Sequence, residues 1–185
     1  MIIVGKIAFF ITHLWKKSIS RYLNHKYNSK IKRLADDITF LGISKVSSPE
    51  HIEAGNNIHI GDNAYIAAEG GLVIGDNVHI SRNMVLYTHN HNYEGVALPY
   101  DNTYRFNKVV IEKNAWIGMN VVILPGSHIG EGAIIGAGSV VAGKVDKHSI
   151  IGATLGTEIK QRNVAHYDKL NSEGKFGGPS GVPLK

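Results

Sequence analysis

The chain has no cysteine among its 185 residues, which removes disulfide bridges and thiolate-held zinc or iron–sulfur centres from consideration. It also lacks acid at one end. Residues 1–33 carry Lys6, Lys16, Lys17, Arg21, Lys26, Lys30, Lys32 and Arg33, and no Asp or Glu. Of twenty basic residues these eight leave twelve to face fifteen acidic ones, so the formal charge of +5 resides on the arm. A nucleic-acid binder would carry a basic stripe over its folded body, and that class is disfavoured. No apolar run approaches the roughly 20 residues needed to span a bilayer. No small-residue cleavage site follows the arm, so a secretory leader is not expected. These absences point to a cytoplasmic protein, and the basic arm leaves association with a membrane surface open.

The arm, residues 1–50, reads as helical at its start: Ile3, Ile7, Phe10, Ile11, Leu14 and Tyr22 recur at roughly helical spacing, with Ser18 softening one turn. Two readings stand. The helix packs on its own body or on a neighbouring subunit, or it lies on anionic headgroups through Trp15 and the Lys/Arg cluster. At the other end "NSEGKFGGPSGVPLK" is too dense in Gly, Pro and Ser for a packed element, so residues 161–185 are expected to form an extension with a flexible tail.

Between these ends the sequence repeats in sixes. Ile60, Ile66, Ile74, Ile80 and Leu86 form one series, with a two-residue slip before Ile74. Ile111, Ile117, Ile123, Ile129, Ile135 and Val141 form a second without slips. The next position is usually small, as at Gly61, Gly75, Gly118, Gly130 and Gly136. Four beyond each aliphatic comes another small or β-branched residue, as at Val78, Ala115, Val121, Ser127 and Val145. A period of six fits neither a helix nor a hairpin meander. It fits a coil of three flat sides with the aliphatic inward on each and turn residues such as "GDN" at the corners. Hexapeptide periodicity is a signature of parallel β-helices. The expected fold is all-β, a left-handed parallel β-helix over residues 51–160, with an N-terminal helical arm and an extruded loop at 87–108.

"IGDNVHISRNMVLYTHNH" followed by "VVIEKNAWIGMNVVILPGSHIGEGAIIGAGSVVAGKV" resembles the hexapeptide-repeat acyltransferases. The branch it is most similar to holds maltose and galactoside O-acetyltransferases and the sugar O-acetyltransferases of polysaccharide gene clusters. The resemblance covers roughly residues 52–160. It implies a homotrimer, acetyl-CoA as acyl donor in a groove between subunits, no required metal, and a histidine that deprotonates an acceptor hydroxyl.

The two repeat series are separated by a segment too long for a corner, and extruded loops on rigid scaffolds commonly carry function. "THNHNYEGVALPYDNTYRFNK" is rich in Asn, Tyr and His, which suits hydrogen bonding and stacking to a sugar; a loop that only clasps a neighbouring subunit is the plainer alternative. Acyl transfer from a thioester to a hydroxyl needs a base working near neutrality, and imidazole suits that without large tuning. The thioester is already activated, so no protein nucleophile is required, in keeping with the lack of Cys and of a G-x-S-x-G elbow.

The family's "Y-T-x-T-H" pattern, laid on Leu86, Tyr87 and Thr88 without gaps, puts His89 where the family has a variable residue and His91 at the base. His91 is therefore the implied base, with His89 orienting it or binding acceptor. The resemblance further implies Tyr93 and Trp116 as acceptor contacts. For the CoA arm it implies Met119, Ala137, Ser139, Ala142 and Gly143, and for the CoA 3′-phosphate Lys160. The match is imperfect: Lys144 is displaced by one from the family's Thr-Lys, and Thr157 replaces a basic residue in "GATLGTEIK". The arm has no carboxylate before Asp36, unlike the short-sugar enzymes, so polysaccharide or lipid-linked sugars fit better than maltose or galactosides. Expected alternatives are N-acetyl transfer to an amino sugar, a non-enzymatic trimer, or a γ-carbonic-anhydrase-like zinc site, for which His128 lacks the H-x₄-H pair. A xenobiotic or serine acetyltransferase is a minor option.

Overall fold

The computed structural model describes residues 2–35, 38–153, 163–173 and 175. Residues up to Ala153 form one compact unit and those from Thr154 a second. In the first unit, short parallel strands stack into three faces of a prism. The first face holds Arg33–Leu34, Ile52–Ala54, Leu72–Ile74, Val109–Ile111, His128–Ile129 and Lys144–Val145. The second holds Thr39–Phe40, His59–Ile60, His79–Ile80, Trp116–Ile117, Ile134–Ile135 and Ile150–Ile151. The third holds Lys45–Ser47, Tyr65–Ala67, Val85–Tyr87, Val122–Ile123 and Val140–Val141. This is the left-handed β-helix that the period of six predicts.

The inward series is the core. Ile60, Ile66, Ile74, Leu86, Ile111, Ile117, Ile123, Ile129 and Ile135 are all buried, as are the corner fillers Val78, Ala115, Val121 and Ala133. Each fully buried Ile or Leu contributes about 1.5–3 kcal/mol of transfer free energy. The register stacks like on like, Ile60 on Ile80 and Ile80 on Ile117, so each coil covers the apolar floor of the last. The corners explain the Asn content. Asn57, Asn77 and Asn114 turn the first-to-second corner, and Asn63, Asn83 and Asn120 the second-to-third, every one with φ between 54° and 62°. Asn tolerates this left-handed backbone better than most residues. Its side-chain amides also donate up the stack, Asn57 to Asn77 at 2.9 Å and Asn77 to Asn114 at 3.1 Å.

The prism begins earlier than residue 51. Arg33–Leu34, Thr39–Phe40 and Lys45–Ser47 already pair with the coil above, so most of a coil lies in what the sequence reads as arm. Its lower edge is covered by α1 (Ile2–Asn28). Asn24 accepts from the Phe40 N–H at 2.9 Å and donates to the Phe40 carbonyl at 3.0 Å. Asn28, one turn on, does the same for Ile38. The two amides thus stand in for a neighbouring strand and close an edge that would otherwise invite pairing with another chain. Tyr27 anchors the helix, buried against Phe40 with its hydroxyl donating to the Ser44 carbonyl. Only this C-terminal part of α1 docks; Val4, Phe9, Phe10, Ile11, Leu14 and Trp15 are exposed.

In the second unit, α2 (Val164–Ser172) starts at Asn163, whose side chain accepts from the His166 N–H at 3.0 Å. That cap favours a helix in what the sequence reads as an extension before the tail. The Gly/Pro-rich end, expected to be a flexible tail, lies outside the described residues except for Lys175.

Candidate active site

Every coil must pass from the third face to the first. Elsewhere it does so in a few residues, such as Ala142–Gly143; between Tyr87 and Val109 it extrudes the long loop. Thr88 fixes the exit. It is fully buried, its hydroxyl donates to the Ala67 carbonyl at 3.0 Å and accepts from the Gly70 N–H at 2.7 Å. The returning chain donates from Asn107 N–H to the Thr88 carbonyl at 2.8 Å, so the loop leaves and re-enters at one point. Between them, strand His89–His91 pairs antiparallel with Tyr104–Phe106, His89 opposite Phe106 and His91 opposite Tyr104. Spacing of two puts both imidazoles on one side of the ribbon.

The loop is internally braced. The Asp101 carboxylate accepts from the Val96 N–H and from the N–H and hydroxyl of Thr103; the Thr103 hydroxyl is the main reason its pKa sits below the usual value. Arg105 pairs with Glu94 and donates to Asn92. Tyr93, expected at the acceptor, lies under the Arg105 guanidinium at 5.2 Å and is exposed.

A cavity of about 200 Å³ is lined by Tyr65, Ala67, Tyr87, His89, Asn90 and His91. Above it, His91 stacks on Tyr100 with ring centroids 3.8 Å apart and also meets Tyr104 at 4.6 Å. His89 meets Tyr104 edge-on and lies near Phe106. Beneath His89 stands Glu69, its Oε2 3.2 Å from His89 Nδ1. The two atoms approach closely without the alignment of a hydrogen bond. Burial pushes the Glu69 carboxyl up, but Ser47, the backbone N–H of Glu69, His89 and Ser48 together outweigh it and hold the pKa below the ordinary value. Nδ1 of His91 is enclosed and has no hydrogen-bond partner among the described residues.

The remaining expected site residues fall on two edges of the prism. Ala142 and Gly143 turn the same third-to-first corner as the histidines, further along the stack. Trp116 projects from the second face with 54% of its surface exposed. Exposed Met119 and Ala137 follow it at the second-to-third corner, where the Gly138 N–H donates to the Met119 carbonyl. Ser139 is turned inward and is only 3% exposed, its hydroxyl without a hydrogen-bond partner among the described residues. Lys160 lies outside the described residues. Sequence reasoning missed Glu69 and Tyr65, which reach the histidines only because coils stack at a separation of about twenty residues. It also missed Tyr100 and Tyr104, which the loop folds back onto them.

Residues 52–88 match the family described as hexapeptide repeat of succinyl-transferase, and residues 108–143 that described as bacterial transferase hexapeptide. Galactoside O-acetyltransferase of Escherichia coli is 30% identical over 167 residues, covering 83% of this chain and 82% of that protein. The chain belongs to the hexapeptide-repeat acetyltransferases. A putative lipopolysaccharide biosynthesis O-acetyl transferase of Escherichia coli is 32% identical to this acetyltransferase over 123 residues, 62% of each chain. Among solved structures, a galactoside acetyltransferase in complex with coenzyme A superposes with a TM-score of 0.56 at 25% identity, covering 78% of this chain and 81% of that one.

Proposed function

We propose that this acetyltransferase moves the acetyl group of acetyl-CoA to a hydroxyl of a sugar in surface polysaccharide or lipopolysaccharide biosynthesis, with His91 as general base. The observation that carries the reading is the loop, which leaves an otherwise regular prism to set two histidines beside Tyr65 and Tyr87 of the third face in one small cavity, with its own Tyr100 and Tyr104 packed on His91. Relatives named for galactoside and lipopolysaccharide O-acetylation agree with it. With Nδ1 of His91 enclosed, Nε2 is the nitrogen offered to the acceptor. It takes the hydroxyl proton as the oxygen bonds to the thioester carbonyl carbon. The tetrahedral oxyanion then collapses, the carbon–sulfur bond breaks, and the imidazolium returns its proton to the departing thiolate. Tyrosine faces suit the C–H surfaces of a sugar ring.

The donor groove is assigned to the interface of a homotrimer. Within one protomer the histidines sit on one edge of the third face and Trp116, Met119 and Ala137 on the other, so a second copy is needed to bring both sets to one acetyl group. Lys160 is assigned to the CoA 3′-phosphate, as a point charge. The exposed residues Val4, Ile11, Trp15 and Tyr22 fall on the side of α1 opposite its docked residues Ser20, Asn24 and Tyr27. With no acid in residues 1–33, that side is assigned to peripheral contact with an anionic membrane surface.

The test is incubation of purified protein with acetyl-CoA and a panel of glycans, following free thiol. Acceptor-dependent thiol release with an O-acetylated sugar is expected. Transfer only to amino sugars, or none to any glycan, overturns the acceptor assignment. Light scattering that finds an active monomer removes the trimer, and undiminished flotation of Ile11→Ser/Trp15→Ser with anionic vesicles removes the membrane contact.

A further inference from the structure

Where α1 lifts away from the body, a cavity of about 1010 Å³ opens between the helix and the second-to-third corner of the first coils. Lys16, Lys17 and Arg21 enter it from the helix, and Arg82 from the corner of the third coil. Among the described residues none of these four is ion-paired. The lining also holds the carboxylate of Asp62, whose Oδ1 accepts from the Ile43 N–H at 2.8 Å and fills the space that a Cβ on Gly42 would need. Four cations against that one carboxylate leave the concave surface with an excess of positive charge, and an anion with several oxygens relieves the repulsion better than a monovalent one. Leu41 and Ile43 give the same cavity an apolar wall, which free inorganic phosphate would not use.

We propose that this cavity binds a phosphate or diphosphate ester, its phosphoryl oxygens on Lys16, Lys17, Arg21 and Arg82 and its organic part along Leu41 and Ile43. The site is remote in the chain from the histidine loop and independent of the acetyl-transfer reading. The same phosphoryl chemistry is presented by a membrane headgroup and by a soluble sugar phosphate. The exposed apolar side of the helix that roofs the cavity makes the headgroup a natural source.

The experiment titrates inorganic pyrophosphate into the full chain by calorimetry at low salt. The comparison is with Lys17→Gln/Arg82→Gln, both exposed positions away from the core. Losing two charge-assisted contacts should weaken pyrophosphate at least about tenfold, and salt should weaken binding to the unsubstituted protein steeply. Acetyl-CoA turnover should be unchanged, which separates this site from the donor groove. No pyrophosphate binding, equal binding by the double variant, or displacement of pyrophosphate by CoA would each overturn the proposal. Two further arms identify the source. Pyrophosphate that releases the protein from phosphatidylglycerol/phosphatidylcholine vesicles supports a headgroup ligand. Pyrophosphate that binds while vesicle flotation is unaffected supports a soluble phosphate ester in the same site.

Discussion

The ring of His91 lies almost flat on that of Tyr100, 16° from parallel. The two residues belong to opposite limbs of the loop, so the stack ties the proposed base to the loop's far side. Aromatic pairs of this kind contribute about 0.5–1.5 kcal/mol. Tyr100→Ala should therefore lower kcat about 2- to 10-fold by loosening the imidazole, with acetyl-CoA KM unchanged. Tyr100→Phe should restore kcat. A Phe variant as impaired as Ala would assign the role to the hydroxyl rather than the ring.

Removal of the proposed base itself should be a larger effect. His91→Ala should reduce turnover about 10²–10⁴-fold while calorimetric affinity for acetyl-CoA barely changes. His89→Ala should be milder and act mainly on acceptor KM. Should His89→Ala be dead and His91→Ala active, the two roles exchange.

Glu69 gives the region a pH signature. Its pKa is depressed in the folded protein, so its contribution to stability is present above the unfolded value near 4.5. That contribution is lost as pH falls through the lower folded value. Glu69→Gln should lower the melting temperature at pH 7 and converge on the parent as the pH drops below 4.5. A gap that persists unchanged into that range would mean that the carboxylate's charge is not what stabilises.

The corner ladders predict a pair of variants. Asn77 sits at φ 57° between Asn57 and Asn114. Ala at this position adds about 1–2 kcal/mol of left-handed strain to the loss of both bonds, while Gly loses the bonds alone. Urea midpoints should fall in the order parent, Asn77→Gly, Asn77→Ala. Equal midpoints for the two variants would remove the strain argument.

The prism was legible because its signal is local and periodic: Ile111, Ile117, Ile123, Ile129 and Ile135 announce their inward positions every six residues. The histidines were legible because they interrupt that period. The rest of the site was not. Glu69 reaches His89 across coils, and stacking register is a tertiary fact that neither residue's neighbours encode. Tyr100 reaches His91 because Asp101 and Arg105 fold the loop back, and nothing in the spacing of nine specifies that. The arm was ambiguous for a physical reason too. Its docking depends on Asn24 and Asn28 pairing with strand backbone and on Leu23 and Tyr27 near its end, while Val4, Ile11, Leu14 and Trp15, the stronger apolar signal in the sequence, are exposed.

The Asn ladder crosses the loop without noticing it. Successive rungs are 20 residues apart from Asn57 to Asn77 and 37 from Asn77 to Asn114, yet the side-chain bond is the same. Closing a longer excursion adds only about 0.6 kcal/mol per doubling of length. The length of the segment between Thr88 and Asn107 is thus only weakly coupled to the stability of the architecture that bears it. Drift, lengthening or wholesale replacement of that segment can retune which hydroxyl is chosen without endangering the stack. Chimaeras that swap this stretch between relatives are the natural route to altered acceptors.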